Sequence, residues 1–135
     1  MQPIPTDKID KVSSVTQALS MSEHERATEP EHLGRLFMER GNAGDVERLT
    51  ALYEPNAVLE FPRGKVTVGK QAIRRVYEEL LAKKPKFEGN VEPALRNGDF
   101  ALTSTRFTGG ATAEVAHRQP DGTWLWIIDQ PNVLR

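Results

Sequence analysis

Three residues in the last third of the chain have side chains suited to proton transfer: Arg106, His117 and Asp129. A carboxylate such as Asp129 serves as a general base when its surroundings hold its pKa near neutrality, and an imidazole such as His117 can take up or release a proton. A guanidinium such as Arg106 stays cationic and can anchor an anion or a developing oxyanion. These three residues form a candidate catalytic set, provided that the fold brings them to one site.

The sequence lacks the residues that several other kinds of chemistry require. The chain of 135 residues has no cysteine, which excludes a thiol nucleophile, an iron–sulfur cluster and a disulfide framework. The spacing of His24 and His32 matches no metal motif, so we expect no metal site. No glycine run has the strand-to-helix context of a phosphate or dinucleotide loop, so we expect no cofactor.

Charge and hydropathy argue against two classes of partner. The formal net charge is −1, and the basic runs 74–75 and 83–86 have acidic neighbours, which is typical of solvated faces rather than a nucleic-acid site. No apolar run is long enough to span a membrane, and no apolar segment of a signal peptide follows Lys8 and Lys11. We therefore expect no nucleic acid, no membrane and a cytoplasmic location.

The hydrophobic pattern divides the chain into helices followed by strands. Helices are predicted to begin at Thr28 and after Asp45, and a third follows Gly69 with apolar residues at helical spacing. Alternating runs bounded by Gly, Pro and Asn predict strands over 57–61, 87–95, 100–108, 111–118 and 123–129. This order predicts an α+β class. Residues 1–27 are an N-terminal extension, either a tail or a short amphipathic helix, and residues 28–135 form one domain.

Five short runs together carry a family resemblance. They are GNAGD at 41–45, LYEPNAV at 52–58, GKQAI at 69–73, PDGTW at 120–124 and IID at 127–129. Their order and spacing over residues 30–131 resemble the nuclear transport factor 2-like fold, and more narrowly its SnoaL-like group. The resemblance implies a cone in which a curved antiparallel sheet packs on three N-terminal helices and encloses a pocket. It also implies a homodimer that pairs through the convex face of the sheet.

The superfamily includes ketosteroid isomerase, whose pattern has an Asp base, a Tyr and a protonated Asp. The resemblance places Phe61 where the base stands, Phe37 where the Tyr stands and Ala111 near the protonated Asp. Phenylalanine exchanges no proton, so isomerisation by those groups is not expected. Glu60 could replace the base only by facing inward, whereas strand alternation points it away from Phe61.

The family's strand order also predicts which side chains face the pocket. It turns Leu102, Ser104 and Arg106 inward from one strand, Val115 and His117 from the next, and Ile127 and Asp129 from the last. The predicted pocket residues are Phe37, Tyr53, Leu59, Phe61, Leu102, Ser104, Val115 and Ile127. Trp124 and Trp126 should then lie on the face opposite Asp129. A slip of one residue would reverse these assignments.

Three functions remain open. The first is a domain that binds a small apolar molecule without converting it. The second is an enzyme of isomerase, cyclase or dehydratase type that transfers a proton on a small apolar carbonyl compound, with Asp129 as base, Arg106 as anchor and His117 as shuttle. The third is a structural partner domain whose pocket is filled by its own side chains. A separate alternative to the catalytic roles is that Arg106 and Asp129 form only a structural ion pair and that His117 is an exposed strand-end residue.

Overall fold

A computed structural model describes residues 24–134, and the described part of the chain contains three helices. These are α1 (His32–Asn42), α2 (Val46–Thr50) and α3 (Lys70–Leu81). The side chain of Asp45 caps α2 by accepting a hydrogen bond from the backbone N–H of Arg48 at 3.1 Å. Helix α3 buries Ile73, Tyr77 and Leu81, which share one face because they are four residues apart. No helix within residues 24–134 is long and apolar enough to cross a membrane.

The N-terminal extension is described only from His24 onward, so the predicted helix or tail within residues 1–23 lies outside the described residues. The described end of the extension already packs on the domain. Ala27 is buried, and its carbonyl accepts a hydrogen bond from the backbone N–H of Trp124 at 2.8 Å. The chain thus reaches the sheet before the first helix begins.

Nine strands within residues 24–134 form two sheets. They are β1 (Tyr53–Glu60), β2 (Val66–Val68), β3 (Asn90–Val91), β4 (Leu95–Asn97), β5 (Phe100–Thr103), β6 (Thr105–Phe107), β7 (Gly110–Ala111), β8 (Ala113–Arg118) and β9 (Trp124–Gln130). The larger sheet has the order β2-β1-β9-β8-β5-β4, and the smaller has the order β3-β6-β7. The α+β class is confirmed. The sheet is mixed rather than wholly antiparallel, because the last strand pairs in parallel with the first.

A bend in one long hairpin separates the two sheets. The predicted strands 100–108 and 111–118 are each divided, the first at Ser104 and the second at Thr112. At the bend, Ser104 Oγ donates to the carbonyl of Thr112 at 2.7 Å, and the N–H of Thr105 donates to Thr112 Oγ1 at 2.8 Å. These side-chain hydrogen bonds satisfy backbone groups where the strands change sheets. The bend carries β6 and β7 away from the larger sheet.

A β-bulge at Ile127 sets the orientation of the last strand. Val115 pairs with Ile128 and Ala116 pairs with Trp126, so Ile127 is an additional residue without a partner on β8. The alternation of side chains therefore changes phase between Trp126 and Asp129. Both of these residues are buried on the concave face. The prediction that Trp124 and Trp126 lie opposite Asp129 is wrong, because simple alternation does not allow for the bulge.

Candidate acid–base site

A cavity of about 410 Å³ is lined by residues from helices α1 and α3, both sheets and the chain around Phe87. Its size is typical of small-molecule sites. Most of its surface is apolar, and six of its side chains are aromatic. The lining residues are Gly34, Phe37, Met38, Phe61, Tyr77, Leu80, Lys86, Phe87, Glu88, Thr105, Phe107, Thr108, Thr112, Glu114, Trp126, Asp129 and Pro131.

Phe37 of α1 is the centre of the aromatic wall. Its ring meets those of Tyr77 and Phe87 edge-on, with centroids 5.8 and 5.1 Å apart, and lies 6.0 Å from the ring of Trp126. Edge-on contacts of this kind are favourable because the positive rim of one ring meets the negative face of another. The wall therefore fixes the positions of Tyr77 and Trp126, whose polar atoms bond to the hydroxyls of Tyr53 and Thr103 that contact the two buried carboxyl groups.

Asp129 lies in the cavity wall with 5% of its surface exposed. The hydroxyl of Tyr53 donates a hydrogen bond to its Oδ2, and the hydroxyls of Tyr53 and Tyr77 are 2.8 Å apart. Burial raises the pKa of Asp129 to about 6, although the hydrogen bond from Tyr53 acts in the opposite direction. Burial also raises the pKa values of Tyr53 and Tyr77 well above the ordinary value, so both phenols are neutral hydrogen-bond donors.

Glu114 is the second buried carboxyl group and the cross-strand partner of Asp129 in the β8–β9 register. It is also 5% exposed. Its Oε1 accepts a hydrogen bond from Thr103 Oγ1 at 2.6 Å, and Thr103 Oγ1 accepts one from Trp126 Nε1 at 3.1 Å. Burial, followed by repulsion from Asp129, raises the pKa of Glu114 to about 8, while hydrogen bonds from Thr103 and Thr112 oppose the rise.

The two carboxyl groups have different protonation states over a common pH range. Between about pH 6 and about pH 8, Asp129 is ionised and Glu114 keeps its proton. Within residues 24–134, no Arg, Lys or His side chain forms an ion pair with either group. Within the same residues, no group of three His, Cys, Asp or Glu side chains is placed to hold a metal ion. The arrangement supplies one base and one acid beside an apolar cavity.

Three of the sequence-predicted site residues line the cavity: Phe37, Phe61 and Asp129. Two others, Tyr53 and Leu59, are fully buried but lie in the core rather than in the cavity wall. Tyr53 still belongs to the site, because it holds Asp129 through its hydroxyl.

The predicted inward positions of Arg106 and His117 are wrong. The side chain of Arg106 is 70% exposed and lies 3.6 Å from a carboxylate oxygen of Glu92. Nδ1 of His117 lies 2.6 Å from a carboxylate oxygen of Glu54, and its ring stacks on Phe100 with centroids 4.7 Å apart. Neither residue lines the cavity with Asp129, so the predicted three-residue set is not brought together.

The remaining predicted pocket residues also lie outside the cavity wall. Leu102 is 54% exposed, and Val115 is its cross-strand partner on the outer face. Ser104 forms the bend between the sheets, and Ile127 is the additional residue of the bulge. The inward residues are instead Thr103, Thr105 and Phe107 on one stretch and Glu114 and Ala116 on the next. The predicted alternation was one residue out of phase on both strands.

Sequence reasoning missed Glu114, Thr103 and Tyr77 as members of the site. Tyr77 carried one usable signal, since a tyrosine on the buried face of a helix needs a partner for its hydroxyl. Glu114 carried a weaker one, because it alternates with Ala113 and Val115 and is therefore read as facing solvent. Only the cross-strand register with Asp129 identifies it.

The comparisons with known proteins agree with this architecture. Residues 35–130 match the SnoaL-like domain family. The comparison with curated protein sequences finds no match. Among solved structures, a proposed dehydratase of the NTF2-like family from Streptomyces avermitilis is 20% identical, with a TM-score of 0.61 over 73% of this chain and 88% of that chain.

Two further structures show the same fold. A ketosteroid isomerase-like protein from Erwinia carotovora atroseptica is 18% identical, with a TM-score of 0.59 over 74% of this chain and 89% of that one. A domain of unknown function with a cystatin-like fold from Nostoc punctiforme is 16% identical, with a TM-score of 0.66 over 78% and 74% of the two chains. With its cone of helices and curved sheet and a family match over residues 35–130, the chain belongs to the SnoaL-like domain family.

Proposed function

We propose that this chain binds a small, largely apolar carbonyl compound in the cavity and transfers a proton on it. The observation that carries the proposal is the Glu114–Asp129 pair, which places two buried carboxyl groups side by side in an aromatic cavity. Ionisable groups with shifted pKa values inside a cavity are typical of sites that perform acid–base chemistry.

The two carboxyl groups have separate roles in this proposal. Asp129, ionised near neutral pH, removes a proton from the carbon next to the carbonyl group. Glu114, protonated over the same range, donates its hydrogen bond to the carbonyl oxygen as negative charge develops there. The aromatic wall excludes water and so strengthens both interactions.

A competing function is binding without conversion. One observation favours it: the cavity wall holds Phe37 and Phe61 at the two positions where the ketosteroid isomerase pattern has its Tyr and its Asp base. The cavity would then act only as a receptor for an apolar ligand, and Glu114 and Asp129 would serve only to orient it.

Deuterium exchange on a simple ketone separates these functions without knowledge of the natural substrate. The protein is incubated with cyclohexanone in D₂O at neutral pD, and loss of the α-proton signal is followed by ¹H NMR. We expect exchange faster than in buffer for the wild type, and a rate at the buffer level for Asp129→Asn, whose amide is not a base. A wild-type rate no higher than that of Asp129→Asn would contradict proton transfer and favour simple binding.

We also propose that two copies of the chain pair through the outer face of the larger sheet. One transverse row of apolar residues crosses all six strands there, each residue directly opposite the next: Val68, Val58, Ile128, Val115, Leu102 and Leu95. Val68, Ile128, Leu102 and Leu95 are between 48% and 71% exposed. A contiguous apolar surface of this kind is typical of an interface, and a two-fold axis would bury it against its own copy.

A further inference from the structure

The hydrogen bonds that link Trp126, Thr103 and Glu114 all donate toward the carboxyl group of Glu114. The indole N–H of Trp126 can only donate, so Thr103 Oγ1 accepts from it. The single hydroxyl hydrogen of Thr103 then points to Oε1 of Glu114, since the opposite arrangement would leave this hydrogen buried without a hydrogen-bond acceptor among residues 24–134. Oε1 is therefore an acceptor. Thr112, whose Oγ1 accepts from the N–H of Thr105, also donates its hydroxyl hydrogen to the carboxyl group of Glu114. Both neighbouring hydroxyls therefore donate to Glu114, so when Glu114 carries a proton, the proton lies on Oε2 and is available to a ligand.

The hydrogen bonds that link Tyr77, Tyr53 and Asp129 likewise donate toward the carboxylate of Asp129. Tyr53 gives its only hydrogen to Oδ2 of Asp129, so its oxygen accepts from the hydroxyl of Tyr77. Tyr77 lines the cavity and has no further hydrogen to donate. Oδ1 of Asp129 receives no hydrogen bond from any residue in the described range 24–134. This side of the cavity therefore presents acceptors only.

From these directions we infer that the cavity recognises a neutral group that carries a hydrogen-bond acceptor and a donor side by side, as in the cis-amide of a lactam. The acceptor of the ligand meets Glu114, and the donor of the ligand meets Asp129. Directly opposite residues on antiparallel strands have Cβ atoms about 5 Å apart, which suits a pair of adjacent ligand atoms. The inference rests on the proposed function and specifies its substrate class.

The other charged groups at the cavity do not alter this pattern. The rim holds one cation and one anion, Lys86 and Glu88, and both are exposed. Among the described residues, Asp129 and Tyr77 are the only titratable side chains that line the buried part of the cavity with Glu114. A ligand carboxylate would face Asp129 without a buried cation to offset the repulsion, so the site discriminates against anionic ligands.

Two isomeric lactams test the inference. The compound 4-methylquinolin-2-one has an adjacent N–H and C=O, whereas 1-methylquinolin-2-one has the same size but no N–H. We expect isothermal titration calorimetry at pH 7 to show at least tenfold tighter binding of the 4-methyl isomer. Equal binding of the two isomers, or binding of neither, would overturn the inference.

Two variants assign the contacts. In Asp129→Leu, which lacks an acceptor, the preference for the 4-methyl isomer should disappear. In the wild type, affinity should fall above about pH 8 as Glu114 loses its proton, whereas Glu114→Gln, whose amide remains a donor, should show no such fall. A preference that persists in Asp129→Leu would contradict the inference. Deuterium exchange on cyclohexanone is measured independently of lactam binding. If the lactam preference is absent while exchange still depends on Asp129, the inference fails and the proposed function does not.

Discussion

Glu114 and Asp129 are direct cross-strand partners on β8 and β9, and each has only 5% of its surface exposed. Two carboxylates on directly opposite residues of neighbouring strands repel each other, so the two groups resist simultaneous ionisation. Burial adds to the free-energy cost of ionising both. Each carboxyl group is held from behind by its own hydroxyl chain, through Thr103 or through Tyr53. In the proposed function this pair supplies one acid and one base, and the first three predictions below follow from it.

The first prediction concerns the pH dependence of stability. The unfolded chain ionises Glu114 near the ordinary value of 4.5, whereas the folded chain retains the proton up to about pH 8. The free energy of unfolding is therefore greatest below the ordinary pKa of 4.5. It falls as the pH rises toward 8, by about 1.4 kcal/mol per pH unit for one proton. Between pH 6 and pH 8 this loss comes from Glu114, because Asp129 is already ionised.

Urea unfolding measured at pH 6, 7 and 8 tests this slope. Glu114→Gln removes the ionisable group, so its free energy of unfolding should change little over the interval where that of the wild type falls. Asp129→Asn should flatten the dependence between about pH 4 and pH 6, and because it also removes the repulsion that raises the pKa of Glu114, it should move the loss due to Glu114 to lower pH without abolishing it. Parallel curves for the wild type and Glu114→Gln from pH 6 to pH 8 would refute the assignment.

The second prediction uses Trp126 as a reporter. Its indole N–H bonds to Thr103, which bonds to Glu114, so ionisation of Glu114 should change the fluorescence of Trp126. We expect a fluorescence transition near pH 8 in the wild type and in Thr103→Ser, which keeps the hydroxyl. Thr103→Val should lose the transition. Its persistence in Thr103→Val, or in Glu114→Gln, would show that the signal arises elsewhere.

The third prediction concerns the support of the base. The hydrogen bond from Tyr53 lowers the pKa of Asp129, so Tyr53→Phe should raise that pKa further. The acidic limb of the cyclohexanone exchange rate should then move to higher pH. Tyr77→Phe, which leaves the bond from Tyr53 to Asp129 intact, should cause a smaller displacement. Equal displacement in the two variants would contradict the direction assigned to this chain of hydroxyls.

The fourth prediction concerns the outer face of the larger sheet. Leu102→Asp places a charge in the middle of the transverse apolar row and should convert a dimer to a monomer in sedimentation velocity experiments. Leu134→Asp is the matched control, because Leu134 is similarly exposed, at 55%, but lies outside the row. A wild-type protein that sediments as a monomer would exclude pairing through this face.

The sequence was sufficient for the architecture but not for the orientation of individual strands. The apolar spacing of α3 and the Asn-Gly boundary before the strand predicted over 100–108 are local signals, and the helix and the turn formed where the pattern indicated. Arg106 and His117 were misplaced because alternation fixes which residues share a face but not which face is inward. Asp129 was placed in the cavity wall only because a bulge at Ile127 compensated for the error in phase. Bulges depend on the partner strand, so pattern reading along one strand cannot locate them.

The central claim is that the cavity holds one ionised and one protonated carboxyl group near neutral pH. Carbon-detected NMR titration of the two side-chain carboxyl carbons tests it most directly, with signals assigned through Asp129→Asn and Glu114→Gln. The account predicts that Asp129 titrates near pH 6 and Glu114 near pH 8. Titration of both groups at or below their ordinary values of 3.8 and 4.5 would contradict it.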